Sequence, residues 1–339
     1  MDTIDTSGRL EEALERLHGS GPERLGRLTN HAPMVVEALA AHGQAGAVHR
    51  WLDRYQPKLE EFPASVAPVN DANWPSALGD PRRAADWIAY FTHAVRERPW
   101  RSVLADWWPR LLPGLYGGST HPVIRVGHAV RALCTDENEP RRTELAHGLG
   151  YWAARHHPVS GITPLPAAST AAEALDAVPP ITTDGRGFPA RLVAVRQLPL
   201  WSGEVTAPDE ARARLTELVR AATHRYATHG HGEETMLVHA ATAPNAVLRS
   251  LDALHRDLWA PSLHAAWTAS AAVTAMYAPP QPVTYTPPAH LTPEEVLERA
   301  LAHGDEHVLK LTDTALDVAD ERALASALRA MELSAPLQS

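Results

Sequence analysis

The chain has 339 residues, of which 45% are hydrophobic and 21% charged, and its formal net charge is −9. These values are typical of a soluble globular protein, and the length allows one large domain or two smaller ones. The negative charge argues against nucleic acid and anionic membranes as main partners. The single cysteine, Cys134, excludes an intrachain disulfide and fits a reducing cytoplasm, where we expect the protein to reside.

The sequence shows no pattern typical of a signal peptide or of a membrane-spanning segment. The polar segment Met1–Gly8 lacks the basic and apolar regions of a signal peptide. The longest weakly polar run, Trp259–Pro280, contains His264 and several Ser and Thr residues, which is typical of a buried core helix. We therefore expect no membrane-spanning segment.

Helical periodicity dominates the first half of the chain. Leu10, Ala13, Leu14 and Leu17 form one apolar stripe, which predicts a helix. Further helices are predicted over Met34–Val48 with continuation to Tyr55, and over Arg82–Arg96, Trp100–Leu112, Pro122–Arg131 and Arg141–His156.

The second half begins with residues 158–210, which are rich in Pro, Gly, Thr and Ser. This composition predicts a long loop region or a boundary between two helical halves, with a short strand over Arg191–Leu198. Helices are predicted again over Asp209–Ala227, Met236–Leu254, Trp259–Met276 and Pro293 to about Arg329, the last with room for one break. The pattern predicts an all-α protein, a single large multi-helix domain over residues 1–339 with long Pro-rich connecting loops.

Common catalytic signatures are absent from the sequence. There is no glycine-rich dinucleotide or P-loop motif, no nucleophile elbow, no H-E-x-x-H and no paired C-x-x-C. Cys134 lies at a predicted helix end, where we expect a buried structural thiol.

Four of the 19 histidines stand in uncommon contexts. His31 opens an apolar helix, His121 follows a glycine-rich segment, and His239 lies within an apolar run. His307 and Lys310 lie three residues apart, on one face of a predicted helix. Each histidine taken singly is more typical of a structural residue, but together they suggest an imidazole-rich metal site, although imidazoles alone do not select the metal. The lysine is the odd member, because an ammonium group repels a cation and has no acceptor.

Five ordered segments carry a family resemblance: Asn30–Val35, Pro113–Leu115 with His121–His128, Leu145–Trp152, His239–Ala243 and Asp305–Leu311. With these segments the chain resembles the questin oxidase-like family. The resemblance implies a mostly α-helical fold. It also implies oxygen-dependent ring opening of anthraquinones and related aromatic polyketides, so the expected partners are such a substrate and dioxygen.

The resemblance further implies the ligands of a non-haem iron, Fe(II)/Fe(III). Carried over by position, they are His31, His121, His239, His307 and a carboxylated Lys310. The lysine can take this role because burial near a cation lowers an amine's pKa, and a neutral amine can add carbon dioxide to become an anionic carbamate.

Three further residues are candidate catalytic groups. His128 and His147 are candidate bases, since histidine titrates near neutral pH. Arg125 could pair with a phenolate or hold a substrate carbonyl. Fungal relatives often have a second histidine at the position of Arg125, so the nearby imidazole of His128 could instead be a base next to the metal ligands, a substrate contact or a replacement ligand.

Two other functions remain open at this point. One is a metal-free, Baeyer–Villiger-type oxidase that uses NADPH, against which the missing dinucleotide motif counts; NADPH is also a candidate external reductant for the iron enzyme. The other is a non-catalytic helical protein that binds a polyketide. The aromatic substrate, the bond cleaved and the oligomeric state are not determined by the sequence.

Overall fold

A computed structural model describes residues 8–25, 27–201, 205–288 and 291–338. Helices dominate these residues, which confirms the all-α prediction. The chain forms two compact units. The amino-terminal unit runs through Pro158 and includes Asp252–Leu254, whereas the carboxy-terminal unit contains Val159–Leu251 and His255–Leu337. The extent of a single domain over 1–339 stays a prediction.

The amino-terminal unit is built from helices and one small antiparallel sheet. Its helices are α1 (Arg9–His18), α2 (Ala32–Ala41), α3 (Val48–Tyr55), α4 (Trp74–Ala77), α5 (Ala84–Glu97), α6 (Trp100–Leu111), α7 (His121–Thr135) and α8 (Glu139–Arg155). The strands β1 (Glu23–Arg24) and β2 (Leu28–Thr29) pair between α1 and α2. α8 packs against both α5 and α7, and α2 packs against α7.

The predicted stripe of α1 is buried, at Leu10, Ala13, Leu14 and Leu17. The prediction of one helix from Met34 to Tyr55 is wrong. α2 ends at Ala41, and Gly43 adopts a left-handed φ of +74° before α3 begins. Glycine takes this conformation without the steric cost that a side chain would add, so the chain turns there.

The carboxy-terminal unit contains most of the longer helices and a short parallel sheet. Its helices are α9 (Ala171–Asp176), α10 (Phe188–Leu192), α11 (Pro208–His229), α12 (Glu234–Leu237), α13 (His239–Ser250), α14 (Trp259–Tyr277), α15 (Pro293–His303), α16 (Glu306–Val318) and α17 (Glu321–Leu333). The strands β3 (Thr163–Leu165) and β4 (Gln197–Pro199) pair in parallel. The strand predicted over Arg191–Leu198 overlaps β4 only at its last two residues. Its first two residues belong to α10 instead, because this short helix buries Phe188 and Leu192 in the core.

The segment predicted as one long helix from Pro293 forms three helices, α15, α16 and α17. Its start is confirmed, because Thr292 and Glu295 form the predicted capping box. The chain then breaks twice rather than once. Gly304, at φ +78°, ends α15 and the Asp305 carboxylate caps α16, while Ala319 ends α16 in the left-handed region.

Two further predictions can be compared with the described residues. None of their helices is both long and apolar enough to cross a membrane. The prediction of a buried Cys134 is wrong, because this residue is exposed near the end of α7. The Arg101 guanidinium lies 3.8 Å from its Sγ, so the thiol points to a polar neighbour, whereas Ala132 and Leu133 of the same turn are buried.

Candidate metal centre

His31 and His121 meet in the amino-terminal unit. Their Nε2 atoms lie 2.8 Å apart, and their rings cross nearly at right angles, at 83°. Both side chains are buried, although they stand 90 positions apart in the sequence. Two imidazole nitrogens that converge in this way either share a proton or share a ligand.

The segment that carries His31 is fixed by its neighbours. The Asn30 side chain accepts from Ala32 N–H and donates to the Gly21 carbonyl, each at 3.0 Å. The His31 N–H donates to the Tyr55 hydroxyl at 3.1 Å. Because these bonds hold the residues on either side of the ring, α2 begins in a defined position, with His31 as its N-cap residue.

His121 is the first residue of α7, and its ring is oriented by the backbone before it. Nδ1 lies 2.9 Å from the Gly118 carbonyl. A carbonyl only accepts, so Nδ1 carries the proton and Nε2 presents its lone pair towards His31. Gly118, Ser119 and Thr120 are all left-handed, with φ of +57°, +56° and +67°. Two non-glycine residues in this region store strain immediately before a candidate ligand.

His239 and His307 form a second pair, in the carboxy-terminal unit. Their rings stack with centroids 5.9 Å apart and planes inclined by 23°. His239 is the first residue of α13 and is fully buried. His307 is the second residue of α16, where its N–H donates to the Asp305 carboxylate at 2.9 Å. Each of the four histidines therefore lies at the start of a helix.

The helices α13 and α16 run side by side in the same direction. Asn245 donates to Thr314 at 3.3 Å, and Arg249 donates to Asp317 at 2.7 Å across 68 positions. His239 and His307 stack with the same offset. Asn245 also donates to Asp317 and Arg249 also pairs with Asp313, so the bonds lie up to about one turn to either side of the offset of the stacked rings. Thr242 and Lys310 share that offset, which predicts that they lie at about one level, one turn beyond the rings.

Lys310 is 1% exposed, and its Nζ has no hydrogen-bond partner among the described residues. Burial lowers the pKa of Lys310 to about 7, although the carboxylates of Glu306 and Asp305 partly oppose this shift. The Thr242 hydroxyl is also buried and has no partner within the described ranges. A helical threonine commonly donates to the carbonyl four residues before it, as Thr274 does, but Thr242 does not. An amine that is readily deprotonated and a hydroxyl without a partner in the described part of the chain are therefore both buried in this helix pair.

The donor set fits an iron site with a carboxylated lysine. Neutral imidazoles suit iron among other metals, and an uncharged amine removes the repulsion that an ammonium group would cause. Asp305 and Glu306 also approach His307, so that one ligand atom from each lies within 4.8 Å of the others. The unpartnered Lys310 nitrogen is the observation that a purely structural role for these residues does not explain.

His128, a predicted base, lies on α7 and its Nδ1 is 2.6 Å from the Glu37 carboxylate. Arg131 also donates to Glu37, from Nε at 2.9 Å and from Nη2 at 2.6 Å. Burial raises the pKa of Glu37, but Arg131 and His128 together outweigh it and lower the pKa to about 2. Glu37 is therefore ionised and His128 donates to it from Nδ1.

Arg125, predicted to contact the substrate, is buried in a bidentate pair with Glu144, with bonds of 2.5 and 2.9 Å. Burial opposes ionisation of Glu144, but Arg125 lowers its pKa to about 2. His147 lies beside this pair, tilted against His18 with ring centroids 4.8 Å apart. The catalytic roles of Arg125, His128 and His147 stay predictions.

Acid titration of His147 is expected to destabilise the fold. Burial, assisted by the Arg125 charge, lowers its pKa to about 3. The unfolded chain binds this proton near the ordinary pKa of about 6.5, whereas the folded chain binds it only below about 3. The stabilising contribution is thus complete above pH 6.5 and is lost as the pH falls towards 3.

Between pH 7 and 4.5 we expect the wild type to lose about 2 kcal/mol more of its free energy of unfolding than His147→Gln loses. Urea unfolding at several pH values measures this difference. The exposed histidine of α5, His93, provides the control variant His93→Asn, which should leave the pH dependence unchanged. Equal slopes for wild type and His147→Gln would contradict the assignment.

Several residues around the histidines were not singled out from the sequence. Glu37 and Thr242 are the main ones. Glu37 carries a recognisable signal, because it is the one charged residue in the apolar run of α2. Thr242 carries none, since a threonine three residues after a histidine is common in helices.

No curated protein matches the chain. A family model described as Questin oxidase-like matches residues 28–314, which is most of the sequence and includes all five candidate ligands. The match begins just before His31 and ends just after Lys310. The chain therefore belongs to the questin oxidase-like family.

Proposed function

We propose that the protein is an oxygenase that opens a ring of an anthraquinone-like aromatic polyketide with dioxygen, in secondary-metabolite biosynthesis. Family membership supports an oxygenase-type, oxidoreductase role in polyketide metabolism. The finer proposal is that His31, His121, His239, His307 and carboxylated Lys310 hold a non-haem iron. The observation that carries it is the buried Lys310 amine, which has no hydrogen-bond partner within the described ranges and follows the stacked His307 by three residues.

Carboxylation of Lys310 is chemically balanced. With a pKa of about 7, a large fraction of the amine is neutral near pH 7. Its nitrogen lone pair attacks the carbon of carbon dioxide, one C–O π bond becomes an oxygen lone pair, and the nitrogen releases a proton. The product is an anionic carbamate that supplies a hard oxygen donor.

Thr242 has a defined part in this proposal. Thr242 and Lys310 share the offset at which His239 stacks on His307, which supports the proposal that the hydroxyl donates to a carbamate oxygen. Such a bond would satisfy a buried hydroxyl whose burial is otherwise costly by about 1–3 kcal/mol. It would also hold the carbamate in one orientation.

A bound iron would supply dioxygen binding and one-electron redox chemistry. The chain's own residues do the rest. His121 Nε2 is presented by the bond from Nδ1 to the Gly118 carbonyl, and the backbone of His307 is held by the cap at Asp305. The flat, electron-rich substrate class and the cytoplasmic location stay parts of the proposal.

Iron loading and oxygen uptake test the function together. The protein is loaded anaerobically with Fe(II), its iron is measured by mass spectrometry, and oxygen uptake is followed with a polyhydroxylated anthraquinone. We expect about one equivalent of iron and uptake that requires it, without NADPH. Full activity with less than about a tenth of an equivalent would overturn the iron proposal. An absolute requirement for NADPH in metal-free protein would instead favour the Baeyer–Villiger-type alternative.

A further inference from the structure

Glu37 forms a second contact point between the two helices that carry His31 and His121. The first contact point is the histidine pair itself, at the start of α2 and α7. Glu37 follows His31 by six residues, and His128 follows His121 by seven. These spacings are both close to two helical turns, roughly 10 Å along each axis.

In this second contact the Glu37 carboxylate receives three hydrogen bonds. His128 Nδ1 and both Nε and Nη2 of Arg131 donate to Glu37, at 2.6, 2.9 and 2.6 Å. The three donors belong to α7 and the acceptor belongs to α2. Two contact points about two turns apart fix both the axial position and the rotation of α2 relative to α7. A single contact point would leave both of them free to vary.

We infer that Glu37, with His128 and Arg131, is a clamp that positions His31 and His121 so that their Nε2 atoms converge on one ligand. The inference rests on the proposed function only for the identity of that ligand. It makes His128 a positioning residue, which differs from the general-base role predicted from the sequence. None of the three residues needs to touch the metal or the substrate.

The pair Glu144 and Arg125 provides a matched control. It is also buried, also bidentate and also carries a carboxylate of low pKa, but it joins α8 to α7 and not α2 to α7. Glu144→Gln should therefore cost comparable stability without changing how His31 approaches His121. Arg131→Lys is a milder companion to Glu37→Gln, because it keeps the charge but loses the two-point bond.

The first measurement is the affinity and absorption spectrum of Co(II), used as a metal probe. We expect Glu37→Gln to weaken Co(II) binding by roughly 10–100-fold and to alter its ligand-field bands, and Arg131→Lys to do the same more weakly. Glu144→Gln should keep the affinity within about threefold and the spectrum unchanged. Wild-type affinity and spectrum in both Glu37→Gln and Arg131→Lys would overturn the clamp, as would an equal loss in Glu144→Gln.

The second measurement needs no metal. Ring-nitrogen NMR of ¹⁵N-histidine-labelled apoprotein reports the His31–His121 contact, with signals assigned from the His31→Ala and His121→Ala variants. Glu37→Gln, or Arg131→Lys if the former does not fold, should shift both signals, and Glu144→Gln should not. A wild-type protein that binds neither Co(II) nor iron would contradict the proposed function. The clamp is tested separately: ring signals that do not change in the Glu37→Gln or Arg131→Lys variant overturn it, and shifted signals support it.

Discussion

Lys310→Arg is expected to abolish iron binding and to lower oxygenase turnover by at least roughly 100-fold. Arginine stays protonated at every accessible pH, so it can neither add carbon dioxide nor present a lone pair. The buried position, with 1% exposure, would then hold a permanent cation where an anionic donor is needed. This is the largest functional effect that we expect from any single substitution.

The chemistry at Lys310 can be observed directly. The chain contains two lysines, Lys58 and Lys310, so a carbamate formed from ¹³C-bicarbonate has few possible positions. We expect one ¹³C carbamate resonance in the wild type, retained in Lys58→Arg and lost in Lys310→Arg. A resonance that persists in Lys310→Arg, or one that never forms in the wild type, would contradict carboxylation at this residue.

A neutral variant separates lost chemistry from lost fold. Lys310→Met keeps most of the volume and removes a buried amine that lacks a hydrogen-bond partner within the described part of the chain. Its free energy of unfolding should equal or exceed that of the metal-free wild type, because burying an unpaired polar group is costly. Urea unfolding measures this. Inactive but stable Lys310→Met therefore supports a chemical role.

The second large effect is expected at Gly117, which precedes the left-handed segment before His121. A Cβ at this position would lie 1.5 Å from the Arg155 carbonyl oxygen, a backbone atom that no side-chain rotation can move away. We expect Gly117→Ala to lower the free energy of unfolding by at least about 3 kcal/mol, as measured by urea unfolding. Because the displaced segment carries the Gly118 carbonyl, iron affinity should fall as well.

Gly19→Ala is the control for this prediction. Gly19 has φ −79° and no heavy atom within 4 Å of an added Cβ. Its substitution should change the free energy of unfolding by no more than about 0.5 kcal/mol. Comparable stability of Gly117→Ala and Gly19→Ala would show that the chain can move away from Arg155 without loss.

Local signals predicted the helices well. The stripe of α1 and the capping box at Thr292 involve residues within one or two turns, so the sequence contains all the atoms that decide them. The split at Gly43 and the second break at Ala319 were missed. Ala319 carries no glycine signal for its left-handed φ, which the surrounding packing imposes.

The sequence contains the candidate site residues but does not show which residues bond to them. The residue types of His307 and Lys310, and their spacing on one helix, are visible in the sequence. The partner of Arg125 is 19 positions away and that of His128 is 91 positions away, so the bonds to Glu144 and Glu37 depend on how the helices pack. For the same reason the exposure of Cys134 could not be read from its apolar neighbours.

The placement of all four histidines at helix starts has an electrostatic consequence. The first turn of a helix carries a partial positive charge of roughly half a unit, from its unsatisfied N–H groups. Next to His31 and His121, whose helices lack a side-chain cap, this potential makes a highly charged cation less favourable and an anion more favourable, whereas the Asp305 carboxylate offsets it next to His307. For a redox metal it stabilises the lower oxidation state and so raises the reduction potential, which an anionic carbamate on Lys310 would counteract.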